Sequence, residues 1–452
     1  MKIVIVGCGK IGTTIVESLL AEGHDIIAVD NAPSVINEIT NIHDVMGVCG
    51  NASDFETLSE AEVSKAELFV AVTGSDEMNM LSCFIAKQMG AAHTVARIRN
   101  PEYNANSAGF LKQSLGLSMS VNPDLLAAQE LYRVLQLPAA ANVETFSRRN
   151  FEMIELKLHD DSPLDGMKLI DIRKKYPYNY LVCAVLRGEE VFIPDGNFEL
   201  HGGDRIGITA TMNDIQKLFR DLGLTSKQTK NVMLLGASRT AFYLTKMLIA
   251  GGVNVKAIEK DKERAVRLLD RNPNAVVIHG DGTNNELLLE EGLTSMDAFV
   301  SLTGMDEQNI LVSYAAADAG VPKVITKVNK PDFYTMAQKL GLDTLISPQK
   351  LISDVFLRYA RALENSLGSN IETMYKLMNG KAEALEFTAS REFKKFNIPL
   401  KDMKFKSNII IAGIIRGRKV MIPRGEDVIM EGDRVVVISS TQGMTDLTDI
   451  VK

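Results

Sequence analysis

Lys2-Ile3-Val4-Ile5-Val6-Gly7-Cys8-Gly9-Lys10-Ile11-Gly12 is the stretch whose reading decides the fold. An unbroken apolar run ends on a glycine turn, and a helical pattern through Ile15, Val16, Leu19 and Leu20 follows at once. Each glycine of such a turn has its own task. Gly7 permits the tight turn, Gly9 lets a pyrophosphate approach the backbone, and Gly12 lets the helix pack on the strand. The start of the helix offers unpaired amides and a partial positive charge to phosphate. Ala28-Val29-Asp30 closes the next apolar run, with Asp30 standing 18 residues after Gly12. Its carboxylate is placed to accept hydrogen bonds from the hydroxyls of an adenosine ribose. It would repel a 2′-phosphate by up to ~4 kcal/mol at ~4 Å and an effective dielectric of ~20. NAD(H) or another adenine nucleotide is therefore expected rather than NADP. An incidental glycine turn in an empty α/β fold is the plainer alternative.

The same plan recurs farther along the chain. Ile3-Val4-Ile5-Val6-Gly7 is matched by Val232-Met233-Leu234-Leu235-Gly236 at an offset of 229. Val70-Ala71-Val72-Thr73-Gly74-Ser75-Asp76-Glu77 is matched by Val300-Ser301-Leu302-Thr303-Gly304-Met305-Asp306-Glu307 at 230. Arg187-Gly188 with Gly203-Asp204-Arg205 recurs as Arg416-Gly417 with Gly432-Asp433-Arg434, again at 229. A tandem duplication explains the constancy of the offset.

Apolar runs at 3–6, 26–29, 45–48, 68–72, 94–98 and 118–121 alternate with helical patterns, as in a doubly wound parallel sheet covered on both faces. Asn122-Pro123 and Ser347-Pro348 are helix starts that lead into smaller α+β modules with antiparallel sheets. Tyr180–Leu186 and Val191–Ile193 form the hairpin of the first module. Four domains are expected, at 1–140, 141–226, 227–365 and 366–452, with Thr225–Lys230 linking the halves.

Composition excludes several classes. The 452 residues are 46% hydrophobic, with only 13 prolines and a net charge of −7. Disorder and general nucleic-acid binding are disfavoured. No apolar run approaches the ~20 residues of a membrane helix. The N-terminal run breaks at Gly7 before a signal core could form, which places the chain in the cytosol. The four cysteines and six histidines lack metal-ligand spacing. No histidine recurs at equivalent positions in both halves.

Further site candidates lie at the carboxyl ends of strands. Asn51 and Ala52 follow the third, Thr73 and Gly74 the fourth, and Arg97 ends the fifth, where it could reach a phosphate or form a surface salt bridge. In the loop itself Cys8 reads as a small apolar filler, flanked by Lys10 and Ile11. The second cradle, Gly236-Ala237-Ser238-Arg239-Thr240-Ala241, has Ser238 where close backbone approach is wanted, with Arg239 available to pair with phosphate. Glu259 stands where Asp30 stood, and Asp281, Thr303 and Gly304 complete the second set. Two readings remain open there: a different adenine nucleotide, or a structural partner without ligand. The basic run from Arg391 to Lys406 reads as a solvated face or as a contact with a partner. For the whole chain, an NAD-dependent oxidoreductase using the small modules as substrate domains competes with a nucleotide-sensing regulator. A redox-sensing DNA-binding regulator lacks a basic recognition helix.

The residues from Met1 to Gly12, Asp30, the Gly50–Asp54 block, Thr73-Gly74 and the Arg187/Gly203-Asp204-Arg205 module resemble the family of regulatory subunits of Trk-type potassium uptake systems. The resemblance covers essentially the whole chain. Its members carry tandem RCK domains, each a Rossmann-like KTN (TrkA-N) lobe followed by a small C-terminal (TrkA-C) lobe. It implies a non-enzymatic, peripheral protein at the inner face of the cell membrane. The partner would be an integral membrane potassium transporter, with self-association into a dimeric or tetrameric ring. It also implies control of potassium transport by NAD(H) and ATP/ADP, with Gly7 to Gly12, Asp30, Thr73, Gly74 and Arg97 lining the first pocket. Asn51 departs from the aspartate that the family pattern leads one to expect, and Ser238 and Ala241 depart from the second glycine loop.

Overall fold

The computed structural model describes residues 1–104, 109, 113–137, 140, 142–146, 151–224, 229–365, 371–417, 419–441, 444 and 446–452. Part of the expected linker, 225–228, lies outside them. The opening run becomes β1 (Lys2–Val6), joined by β2 (Asp25–Asp30), β3 (Met46–Cys49), β4 (Leu68–Ala71), β5 (His93–Arg97) and β6 (Met119–Val121). All pair parallel, in the order β3-β2-β1-β4-β5-β6. Ile3, Val4 and Ile5 are wholly buried, because helices cover both faces and neither side of the strand meets water. The strand order reverses between β1 and β4, and this opens a crevice at their carboxyl ends.

The second half repeats this sheet with β12 (Asn231–Leu235), β13 (Asn254–Glu259), β14 (Val276–His279), β15 (Ala298–Ser301), β16 (Lys323–Lys327) and β17 (Thr344–Ile346). Each large sheet is followed by a five-stranded antiparallel one. The first holds β7 (Asn142–Phe146), β8 (Phe151–Lys157), β9 (Tyr180–Arg187), β10 (Glu190–Phe192) and β11 (Arg205–Thr211). The other holds β18 (Ile371–Leu377), β19 (Ala382–Thr388), β20 (Ile409–Arg416), β21 (Lys419–Met421) and β22 (Arg434–Ser439). The repeated Arg/Gly-Asp-Arg motif is structural. Arg187 grips buried Asp204 through two bonds of 2.7 Å, and Arg416 grips buried Asp433 through two of 2.8 Å. Each pair ties the hairpin to the strand beside it. The two small sheets share a core of Met153, Cys183 and Ala184 with Met378, Ala384 and Val436.

The sequence reading has the helices after the large sheets leading into the small modules. They do so, and they also cross over. Helix Pro123–Gln136, capped by Asn122, packs Ala127, Ala128 and Leu131 against Leu244 and Leu248 of the second half. Helix Pro348–Asn365 returns the exchange, setting Ile352, Phe356 and Leu357 among Ile15, Val16 and Leu19 of the first half. Ser353 reinforces the second contact with a 2.8 Å bond to Ser18. Each large sheet thus has one covering helix supplied by the other half. At about 1.5–3 kcal/mol per fully buried large apolar side chain, the exchange locks the halves together.

Phe356→Ala is therefore expected to destabilise the first half although Phe356 belongs to the second. A loss of about 3–5 kcal/mol in denaturant unfolding is anticipated. A loss below ~1 kcal/mol would show that the crossing helix does not support the first sheet.

Candidate functional site

The turn after β1 contains three glycines held for different reasons. Gly7 has φ +90°, and a Cβ there would stand 2.6 Å from the Thr73 amide nitrogen. A Cβ on Gly12 would meet the Gly7 carbonyl oxygen at 2.0 Å. The protein's own backbone requires both glycines. Gly9 differs: its φ is −67°, and nothing lies within 4 Å of where a Cβ would be. Folding does not demand a glycine there, so the space is free for something else to approach. Gly9 is also the N-cap of helix Lys10–Leu20, and no side chain caps it. The first-turn amides are left without a side-chain acceptor, which is the arrangement that receives an anion.

Asp30 braces this turn. Its Oδ2 accepts the Cys8 amide at 2.8 Å and its Oδ1 the Ala32 amide at 3.0 Å. A carboxylate has about four acceptor sites, so capacity remains for sugar hydroxyls. Cys8 contributes its amide. Its thiol faces the Val29 carbonyl oxygen at 3.7 Å, and burial pushes it up to about 12, so it is a packing group.

A cavity of about 780 Å³ opens over the turn. Gly7, Gly9, Lys10, Ile11, Asp30, Asn51, Ala52, Thr73, Gly74 and Arg97 all line it, whereas Gly12 does not and Cys8 lines another cleft, of about 1010 Å³. Asn51 holds its loop by accepting the Ser53 amide and hydroxyl, each at 3.0 Å. Thr73 is pinned by Asn79, whose Oδ1 accepts the Thr73 amide and hydroxyl at 2.7 Å while its Nδ2 donates to the Arg97 carbonyl at 2.9 Å. Sequence reasoning passed over Asn79, although Asn309 repeats it at the offset of 230 and makes the same bonds to Thr303. Arg97 is 6% exposed and donates to the Thr73 carbonyl rather than forming a surface salt bridge. Burial, with Arg99 nearby, pushes it down to about 10, and its Nε has no hydrogen-bond partner.

The opposite wall belongs to the second half. Thr240, Lys327, Asn329 and Gln349 line the same cavity. Lys327 is the counterpart of Arg97. It donates to the Thr303 carbonyl at 3.1 Å, and burial holds it below the usual lysine value. Thr240, expected in the second cradle, faces this first one and donates to Asp124 at 3.0 Å.

The second set of expected residues does not converge on one of these cavities. Ala237, Ser238 and Arg239 line a separate cleft of about 450 Å³, and Gly304 lines a third of about 1010 Å³. Gly236, Glu259, Asp281 and Thr303 line none of the three. Ser238 does more than add bulk: its hydroxyl accepts the Ala241 amide at 3.2 Å and so caps its own helix. Glu259 braces the turn as Asp30 does, accepting the Ala237 amide at 2.6 Å and the Asp261 amide at 2.8 Å. Asp281 is held well down, at about 2, by Lys260 at 2.7 Å and by Thr283. In the basic run near the C-terminus, Arg391 and Lys401 pair with Glu431 and Glu426 on the surface. No group of three or more possible metal ligands occurs among the described residues.

Comparison with known proteins agrees with this anatomy. The TrkA-N domain model matches residues 3–123 and 232–348, and the TrkA-C domain model matches 153–223 and 396–452. The Trk system potassium uptake protein TrkA homolog of Archaeoglobus fulgidus is 31% identical over the whole of both chains. TrkA of Haemophilus influenzae is 30% identical over 97% of this chain and 96% of its own. Among solved structures, the GsuK RCK domain superposes with a TM-score of 0.63 at 17% identity, over 97% of this chain and 92% of that one. The GsuK channel bound to NAD superposes at 0.62 and 16% identity, over 97% and 76%. The chain is thus a tandem protein of Rossmann-like TrkA-N and small TrkA-C domains. It belongs to the TrkA family of Trk system potassium uptake proteins.

The three glycines should separate in a thermal melt. Gly7→Ala forces a left-handed alanine against Thr73 and is expected to cost at least ~2 kcal/mol. Gly9→Ala is expected to cost no more than about 1 kcal/mol, the ordinary penalty of alanine at an N-cap. Equal losses from both would contradict the open space at Gly9.

Proposed function

We propose that this chain is the peripheral, cytoplasmic regulatory subunit of a potassium uptake transporter and that NAD(H) is the ligand of its first cleft. The carrying observation is the uncapped helix start beside Gly9, in a cavity whose walls come from both halves. The Gly9–Ile11 amides would hold the diphosphate, and Lys10, Arg97 and Lys327 would offset its charge. Asp30 would bind the adenosine ribose and disfavour a 2′-phosphate. ATP and ADP share the adenosine diphosphate portion, so the same cleft suits them. The GsuK structures with NAD and with ADP support both ligands by analogy of fold.

A ligand touching both walls binds best in one relative arrangement of the halves, and so shifts the population toward it. Moving such an equilibrium from 1:99 to 99:1 requires ~5.5 kcal/mol of differential affinity. Several clefts acting together in a dimeric or tetrameric ring would supply it. Exposed Leu81 and Phe84 on helix Asp76–Met89, and their counterparts Leu311 and Tyr314 on helix Asp306–Asp318, support self-association. No helix among the described residues is long and apolar enough to cross a membrane, so attachment would run through the transporter. The oxidoreductase alternative finds little support. Of the residues that commonly serve as its acid or base, no His or Tyr lines the first cleft among the described residues, and the lysines that do, Lys10 and Lys327, are assigned to phosphate.

In calorimetry, Gly9→Ala is expected to weaken NADH binding at least tenfold while folding is kept, and NADPH should bind the native chain more weakly than NADH. Unchanged NADH affinity would remove the glycine loop from the site. Leu81→Asp with Phe84→Asp should lower the oligomeric state in sedimentation; an unaltered ring would place self-association elsewhere.

A further inference from the structure

The second small domain carries a charge that the function above leaves unused. Residues 366–452 hold 14 Lys and Arg against 11 Asp and Glu, whereas 141–226 hold 11 against 14. Six cations of the later stretch, Lys394, Lys395, Lys404, Lys406, Arg424 and Lys452, are exposed and form no ion pair among the described residues.

Backbone pairing gathers them. Phe405 and Val451 form an antiparallel bridge, and both pack on the core beneath. Side chains alternate across extended backbone, so Lys404, Lys406 and Lys452 turn outward. The Lys452 amide donates to the Lys404 carbonyl at 2.8 Å, and the Lys406 amide to the Ile450 carbonyl at 2.9 Å. Just before this bridge, the Asn397, Leu400 and Lys401 amides donate to the Ile429, Asp427 and Gly425 carbonyls at 3.0, 2.9 and 2.9 Å. Lys401 is thereby set beside Arg424. Lys394 and Lys395 stand between Phe393 and Phe396, whose rings pack edge to face at 5.5 Å. Of the carboxylates here, Glu426 pairs with Lys401, Glu431 pairs with Arg391, and Asp427 accepts the Arg424 amide at 2.7 Å. Glu392 and Asp402 are exposed.

The duplication supplies an internal control. In the first small domain the Gly166, Leu169 and Ile170 amides donate to the Leu200, Phe198 and Gly196 carbonyls at 2.8, 3.0 and 2.8 Å, the same ladder. On that frame Ile170 stands for Lys401, Pro163 and Leu164 for Lys394 and Lys395, and Asp195 for Arg424. A solvated face common to the fold does not explain why the cations gather in one copy only. The face continues onto the first domain at one point, where Arg173 adjoins Arg424 across a cleft of about 480 Å³.

We propose that this basic face lies against the surface of an anionic phospholipid bilayer, a second attachment besides the transporter. Five of the six unpaired cations are lysines. A lysine ammonium is a compact, hydrated point charge, whereas protein interfaces favour arginine and are depleted in lysine. Such a set suits a diffuse layer of phosphate headgroups, where each lysine adds to the attraction. Met430 is the one exposed large apolar side chain of this domain among the described residues, so the face rests on the headgroups and does not insert. The inference rests on the membrane location proposed above, and on neither the nucleotide nor the first cleft.

The test is co-sedimentation of the full chain with vesicles, without nucleotide or transporter. One set is phosphatidylcholine alone; the other is an equimolar mixture of phosphatidylcholine and phosphatidylglycerol. The native chain is expected to bind the mixed vesicles only, and less as salt rises. Lys394→Glu, Lys395→Glu, Lys404→Glu and Lys406→Glu together should weaken that binding at least tenfold. Lys246→Glu with Lys339→Glu, exposed positions on helices of the second large domain, should change it less than twofold. Lys404→Gln with Lys406→Gln, expected to weaken binding about fivefold, serves should the quadruple variant melt early. No binding to the mixed vesicles at low salt, or binding that survives the substitutions, overturns the proposal. Binding confined to vesicles that also hold the reconstituted potassium transporter would identify an acidic protein surface and overturn it too, while leaving the regulatory reading intact. Lipid binding by a chain that ignores both NADH and the transporter would sustain this proposal and remove that reading.

Discussion

The carboxylate of Asp30 reaches back to the amide of Cys8, and Gly7 lies so close to Thr73 that no side chain fits between them. These two contacts give the turn after β1 its shape before any ligand arrives. The open flank of Gly9 and the uncapped start of the following helix are consequences of that shape. A site built in advance spends less of its binding energy on ordering loops. Glu259 repeats the brace in the second half, but there Ser238 caps the helix itself. One hydroxyl thus separates a turn whose helix start has no side-chain cap from one in which the Ala241 amide is already engaged.

The exchanged helices give the first cleft its second wall. Pro348 and Gln349, at the start of helix Pro348–Asn365, line the cavity, and the same helix buries Phe356 in the first half. Lys327 and Asn329 complete the wall from the end of β16. A ligand in this position would touch both halves at once. The small sheets, packed on one another through Met153 and Met378, connect the halves a second time.

Much of this was legible in the sequence, for local reasons. Unbroken runs such as Ile3–Val6 and Leu68–Val72 are long enough for buried strands and too short for helices. The glycine loop and Asp30 carry their geometry in their spacing, and the constant offset exposed the duplication. What stayed hidden is non-local. The apolar stripe of helix Pro123–Gln136 says that it is buried, not that its partner is Leu244. The scattering of the second set of residues depends on Lys260 pairing with Asp281 and on Ser238 capping its own helix, which spacing does not encode. Asn79 and Lys327 could have been found, since each has a counterpart at the common offset.

Amide hydrogen exchange with and without NADH tests the central claim most directly, because it reports on both walls of the first cleft at once. The account expects protection of 7–13, 30–32 and 73–76 together with 327–329 in the other half. Protection confined to the first half, or absent from the glycine turn, would contradict it.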